Sequence, residues 1–140
     1  MRGILLLLLV IGGGLWGPFW HRYPRLVVTH AQLLADMAEK GRDLVVVGQF
    51  TAASLPELTY PLERALAFEH ETARRTGSPP PTSLAAFSRL VAAYQGLVET
   101  LDDTRRQPRA AQVAGRGALD ATVAAIRADA DAVRAAAAAD

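Results

Sequence analysis

From Gly3 to Trp20 every residue of this chain is apolar, glycine or proline, and no charged side chain stands between Arg2 and Arg22. A helix of about 20 such residues is long enough to cross the hydrocarbon core of a bilayer. The nine aliphatic residues in this stretch favour that core by about 3–5 kcal/mol on insertion scales. A single transmembrane helix within residues 1–25 is therefore expected, followed by one extramembrane domain over 26–140.

Two roles fit such a start, a retained signal anchor and a cleaved signal peptide. Arg2 and Ile4–Ile11 supply the basic start and apolar region of a signal peptide. Apolarity resumes at Leu15, however, and no Ala-x-Ala follows, so retention is favoured. Trp16, Phe19, Trp20 and Tyr23 are expected at the headgroup level, with Arg22 and Arg25 against anionic lipid. Pro18 and the glycines weaken the helix, which is expected to end near Gly17. Gly13 and Gly17 have the Gly-x-x-x-Gly spacing that lets membrane helices pack closely. The positive charges on the two sides of the span are too evenly divided to orient it, so the side on which the domain lies stays open.

Beyond the span lie roughly 115 residues, enough for one compact domain. The net charge of +1 gives no field pointing to nucleic acid. With no cysteine there is no disulfide, thiolate metal site or cysteine nucleophile. Helical periodicity is clearest from Thr82 or Ser83 to about Arg106, where Leu84, Phe87, Val91, Tyr94, Val98 and Leu101 share one face and Leu90 and Leu97 widen it. A last helix is expected over Gly117–Ala138, with Leu119, Val123, Ile126, Ala130, Val133 and Ala137 in line. Leu26, His30, Leu33, Met37, Leu44 and Val45 suggest an earlier helix to Gly48, although Leu44–Val47 could instead be a short strand. Pro56 or Pro61 opens another helix, running to Arg75 with Leu58, Leu62, Leu66 and Glu69 in line, and Ser78–Pro81 forms a stiff connection. The fold class expected is all-α: the transmembrane helix and an antiparallel bundle of three or four helices.

Several fragments resemble the LemA family of bacterial membrane-anchored helical proteins. Tyr23-Pro24-Arg25-Leu26-Val27 is similar to that family's Tyr-Asn-x-Leu-Val after the anchor. Arg42-Asp43-Leu44, or alternatively Leu55-Pro56-Glu57-Leu58, resembles parts of its Arg-x-Asp-Leu-Ile-Pro-x-Leu segment. His70-Glu71 falls where the family often has His-Glu, and Ser88–Tyr94 looks like its Ser-x-Leu-Leu-Ala-x-x-Glu-x-Tyr helix. The order is right over roughly residues 4–105. Departures are Met37 near an expected tryptophan, the separation of the Asp-Leu and Pro-x-Leu pieces, and a tail poorer in polar residues. The resemblance implies a membrane-tethered helical bundle in a bacterial cell membrane, of poorly defined function.

No reactive constellation stands out. His21, His30 and His70 lack a partner at helical metal-ligand spacing on their own faces. His30 is expected packed and His70 solvated. Asp102 and Asp103 diverge by about 100° on a helix, and no serine has a nucleophile context. Arg105, Arg106 and Arg109 form a basic cluster that fits either a solvated helix end or a partner-docking patch. No cofactor is expected; were a partner subunit to bring a haem or pigment, His21 would be the first residue to test. The expectation is thus a non-enzymatic accessory or scaffolding subunit, whose partners are the lipid bilayer and other membrane-protein subunits, homo-oligomers included. The alternative is a self-contained LemA-like bundle, and an enzyme is the least favoured.

Overall fold

The computed structural model describes the backbone of residues 2–77 and 79–140 and the side chains of 19–77 and 79–140. Its helices are α1 (Arg2–Val46), α2 (Leu55–Arg75), α3 (Thr82–Arg105), a short α4 (Arg109–Ala114) and α5 (Arg116–Ala139), with a 3-10 turn at Ala52–Ser54. No strand occurs among the described residues. Short connections reverse the chain after each long helix, so α1, α2, α3 and α5 form the expected antiparallel bundle. α1 and α3 touch each other along its centre, with α2 on one flank and α5 on the other.

α1 does not stop near Gly17. It continues through Pro18 and Pro24 for 45 residues, about 67 Å at 1.5 Å per residue. The segment expected to form an anchor and the first helix of the bundle are therefore one element. Leu44–Val46 are helical as well, not a strand. Among the described residues no helix is long and apolar enough to cross a membrane. The side chains of Ile4–Gly17, which carry that expectation, lie outside them, as do Trp16, Gly13 and Gly17.

The core follows the periodicity of α3 and α5 closely. Phe87, Leu90, Val91, Tyr94, Leu97, Val98 and Leu101 are buried on α3, and Leu119, Val123, Ile126, Ala130, Val133 and Ala137 on α5. On α1 the buried face is one position away from the expected stripe. Tyr23, Val27, Ala31, Leu34, Ala35, Ala38 and Val45 are buried, whereas Leu26 and Leu33 remain 37% and 42% exposed. Small side chains let the neighbouring helices approach, and the leucines fall on the shoulder. On α2 the core residues are Leu58, Pro61, Leu62, Ala65 and Thr72.

Pro61 sits inside α2, where a proline lacks the donor that would close one turn of the backbone ladder. The carbonyl left without its donor is that of Glu57; one residue on, the buried Tyr94 hydroxyl donates to the Leu58 carbonyl at 2.7 Å and ties α3 to this turn of α2. Burial pushes the Tyr94 hydroxyl well above its ordinary pKa, so it remains a donor. Gly41 marks a tight crossing of α1 with α2 and α3. A Cβ added there would lie 2.7 Å from Leu101 Cδ1 and 3.2 Å from Leu58 Cδ1, and both leucines are fully enclosed. Replacing Gly41 with valine is expected to cost about 1–3 kcal/mol through overpacking, outweighing the gain from removing a helical glycine. Tyr94→Phe is expected to cost about 1–2 kcal/mol through the lost buried bond. Urea denaturation of the two variants measures both losses.

Candidate functional site

The sequence-predicted residues divide between the two ends of the bundle. At the end from which the N-terminal half of α1 departs, Phe19, Trp20 and Tyr23 join an aromatic cluster instead of standing free. Trp20 meets Phe19 edge-on at 5.0 Å, and Tyr23 stacks on Phe68 of α2 at 6.0 Å. Phe68 in turn meets Phe87 of α3 edge-on at 5.7 Å. Tyr23, expected at the headgroup level, is only 3% exposed. Phe19 and Trp20 are half-buried against the same core, so the bundle begins before the expected boundary at residue 25. The Arg75 guanidinium lies over the Phe19 ring at 4.7 Å, a cation–π contact joining the last turn of α2 to α1.

His30 belongs to this cluster, 4.7 Å from Phe68 and half-buried as expected. Burial, with the Arg64 charge adding to it, holds its pKa below the usual imidazole value of 6.5. His21, Arg22 and Arg25 are exposed, as is His70 on α2.

Beneath the aromatic cluster is a polar relay that the sequence gives no sign of. α3 starts after Pro81, which offers no side-chain cap. Asp140, at the end of α5, takes that role from across the bundle. Its carboxylate accepts the backbone N–H of Thr82 at 2.9 Å and of Ser83 at 3.1 Å, and also the Ser83 hydroxyl. Since Ser83 gives its proton to the carboxylate, Tyr23 must be the donor in the 2.8 Å contact between the two hydroxyls. A carboxylate suits the positive end of a helix. Desolvation raises the Asp140 pKa, but the hydrogen bonds from Ser83 and Thr82 outweigh it and leave the group below its ordinary value.

The basic cluster lies at the opposite end, engaged within the chain. Arg105 and Arg106 share the Asp102 carboxylate at 2.7 and 3.0 Å. Arg109 donates to the Val45 and Val46 carbonyls at 2.8 and 2.6 Å. Gly48, at φ +73°, closes α1 there. Its N–H reaches Val45 and the Gln49 N–H reaches Leu44, which is the Schellman arrangement. Arg109 supplies donors to carbonyls at the helix end and places its positive charge at the negative end of α1.

Among the described residues no group of three or more His, Cys, Asp or Glu is placed to hold a metal ion. The arrangement binds helix ends together and leaves Arg22 and Arg25 exposed on α1.

Two acid-sensitive groups follow from this geometry. Both have folded pKa values below their unfolded ones, so each contributes stability above the unfolded value that is lost as pH falls through the folded value. His30 acts first, below about pH 6.5, and Asp140 in and below the carboxylate range. His30→Phe is expected to flatten the first loss in a pH series of melting curves. Asp140→Asn is expected to reduce the second, to which Glu71, held below its ordinary pKa by hydrogen bonds from Arg74 and Arg75, also contributes, and to cost about 0.5–1 kcal/mol at neutral pH, allowing for the solvent exposure of the cap. Arg109→Ala is expected to cost about 1 kcal/mol, against less than about 0.5 kcal/mol for Arg106→Ala.

No family model, curated protein or solved structure matches this chain.

Proposed function

We propose that this chain is a non-enzymatic accessory or scaffolding subunit of a larger membrane protein complex in a bacterial cell membrane. One transmembrane helix within residues 1–25 holds it, and it acts through helix packing. The observation that carries this reading is the composition of α1. An uncharged apolar run from Gly3 to Trp20 occupies the same unbroken helix that supplies the central face of the bundle. Such a run is costly to leave in water and favourable in hydrocarbon. Gly13 and Gly17 are the proposed helix-packing positions, and Trp16, Phe19, Trp20, Arg22 and Arg25 the proposed interfacial ones. Tyr23 serves the bundle core instead.

A second reading, a self-contained LemA-like bundle, is supported by the closed core. Among the described residues, 25 hydrophobic side chains are buried by the chain itself, so no partner is needed to cover them.

Membranes extracted in mild detergent, resolved by size and identified by mass spectrometry, separate the two. Comigration with a defined larger assembly is expected; migration alone at small size would overturn the subunit reading in favour of the self-contained bundle. Replacing Gly13 and Gly17 with leucine is expected to weaken association at least tenfold while leaving the bundle's melting temperature unchanged. Unaltered association would remove the anchor glycines from the contact surface.

A further inference from the structure

The cations of this chain are unequally provided for. Lys40 pairs with Glu57, Arg42 with Asp43 and Asp120, Arg74 with Glu71, and Arg127 with Asp36 and Glu39. Arg105 and Arg106 hold Asp102, Arg64 bonds the Tyr60 hydroxyl, and Arg109 and Arg116 reach carbonyls of α1. Among the described residues Arg22, Arg25, Arg89 and Arg134 have no such side-chain partner. Three of these four line two adjoining shallow depressions, one on α1 alone and one between α1 and α5, beside the point where the apolar half of α1 leaves the bundle.

Arg25 belongs to both. On one side it stands with Arg22, Leu26 and Thr29. On the other it lines, with Arg134 of α5, an open depression whose remaining walls are Pro24, Val28, Thr29, Ala137 and Ala138. Arg22 and Arg25, three residues apart on a helix, are neighbours on one face. The Thr29 hydroxyl is turned to the Arg25 carbonyl at 2.8 Å, and Asp131, one turn from Arg134, forms no ion pair with it. Arginines beside largely apolar walls, uncompensated by carboxylate, call for an anion that brings its own apolar part. Guanidinium groups match the oxygens of a phosphodiester in geometry and charge.

We propose that the α1/α5 groove binds an anionic phospholipid. Arg25 and Arg134 take the phosphate, Arg22 adds charge at the rim, and the upper part of the lipid chain lies along Pro24, Val28, Ala137 and Ala138. The site rests on the anchored reading above, because α1 places the groove beside the apolar segment. It adds a ligand class and a residue, Arg134, that lies more than 100 positions from the anchor. Bound lipid would clamp α5 to α1 next to the Asp140 cap.

The full chain is reconstituted into nanodiscs of phosphatidylcholine alone or with one third phosphatidylglycerol, and bundle melting is followed by circular dichroism. Phosphatidylglycerol is expected to raise the wild-type midpoint by about 5 °C. Arg25→Gln/Arg134→Gln is expected to melt like wild type in phosphatidylcholine and to lose the rise, whereas Arg89→Gln keeps it. An absent rise, a rise preserved in the double variant, or one lost equally in Arg89→Gln would overturn the groove. An equal rise from millimolar inorganic phosphate in phosphatidylcholine discs would assign a free-anion site and overturn the lipid. Incorporation is scored separately by coelution with lipid. A chain that stays out of the discs overturns the anchor and the site together, while an incorporated chain without the rise overturns the site alone.

Discussion

All three other long helices pack against α1, and they meet a face built mainly of small residues. Between Val27 and Val45 the enclosed positions of that face include Ala31, Ala35, Ala38 and Gly41. Alanine brings little area out of water, so such a face stabilises through closeness of approach, gaining many weak dispersion contacts at short range. This constraint sets the remaining geometry. α5 answers with Ala130 and Ala137, and the α1–α2–α3 crossing at Gly41 leaves no room even for a methyl group without movement of Leu101.

The ends of the bundle carry the complementary polar work. A helix in water can leave its terminal N–H and C=O groups to solvent, whereas one packed into a bundle gains from partners that also tie it to its neighbours. Asp140 on the start of α3 and Arg109 on the end of α1 do this at opposite ends, each with the charge that suits the helix dipole. The surface ion pairs between them add little individually, but Arg127 with Asp36 and Glu39 spans α5 and α1 and reinforces the pairing that the alanines make close.

The helices were legible where long apolar side chains repeat at helical spacing. α3 and α5 show that pattern, and their buried residues follow it almost one for one. On α1 the same reasoning chose the leucines, because hydropathy weighs Leu26 and Leu33 above Ala31 and Ala38. Close packing ranks them the other way, and no single-chain pattern announces that a neighbour will approach so near. Either Pro56 or Pro61 suits a helix start; α2 begins at Leu55 with Pro56 in its first turn and carries Pro61 inside, where Tyr94, 33 positions later, bonds a neighbouring carbonyl. Of the site, Arg22 and Arg25 were visible beside an apolar run. Asp140 and Arg134 were not, since each acquires its place only after the chain has reversed several times. Arg109 was visible as charge, but the carbonyls it serves lie more than 60 positions earlier.

The unbroken α1 has a mechanical consequence. A flexible linker would let the two halves of α1 swivel independently, but a continuous helix acts as a shaft. Each residue along it adds about 1.5 Å of height and 100° of azimuth. The spacing between Gly17 and Tyr23 therefore sets which way the α1/α5 groove faces relative to the helix surface carrying Gly13 and Gly17. One residue more or fewer would turn the groove by more than a quarter revolution while leaving both ends chemically intact. Whatever grips the lower half of the shaft thereby sets the heading of the upper half.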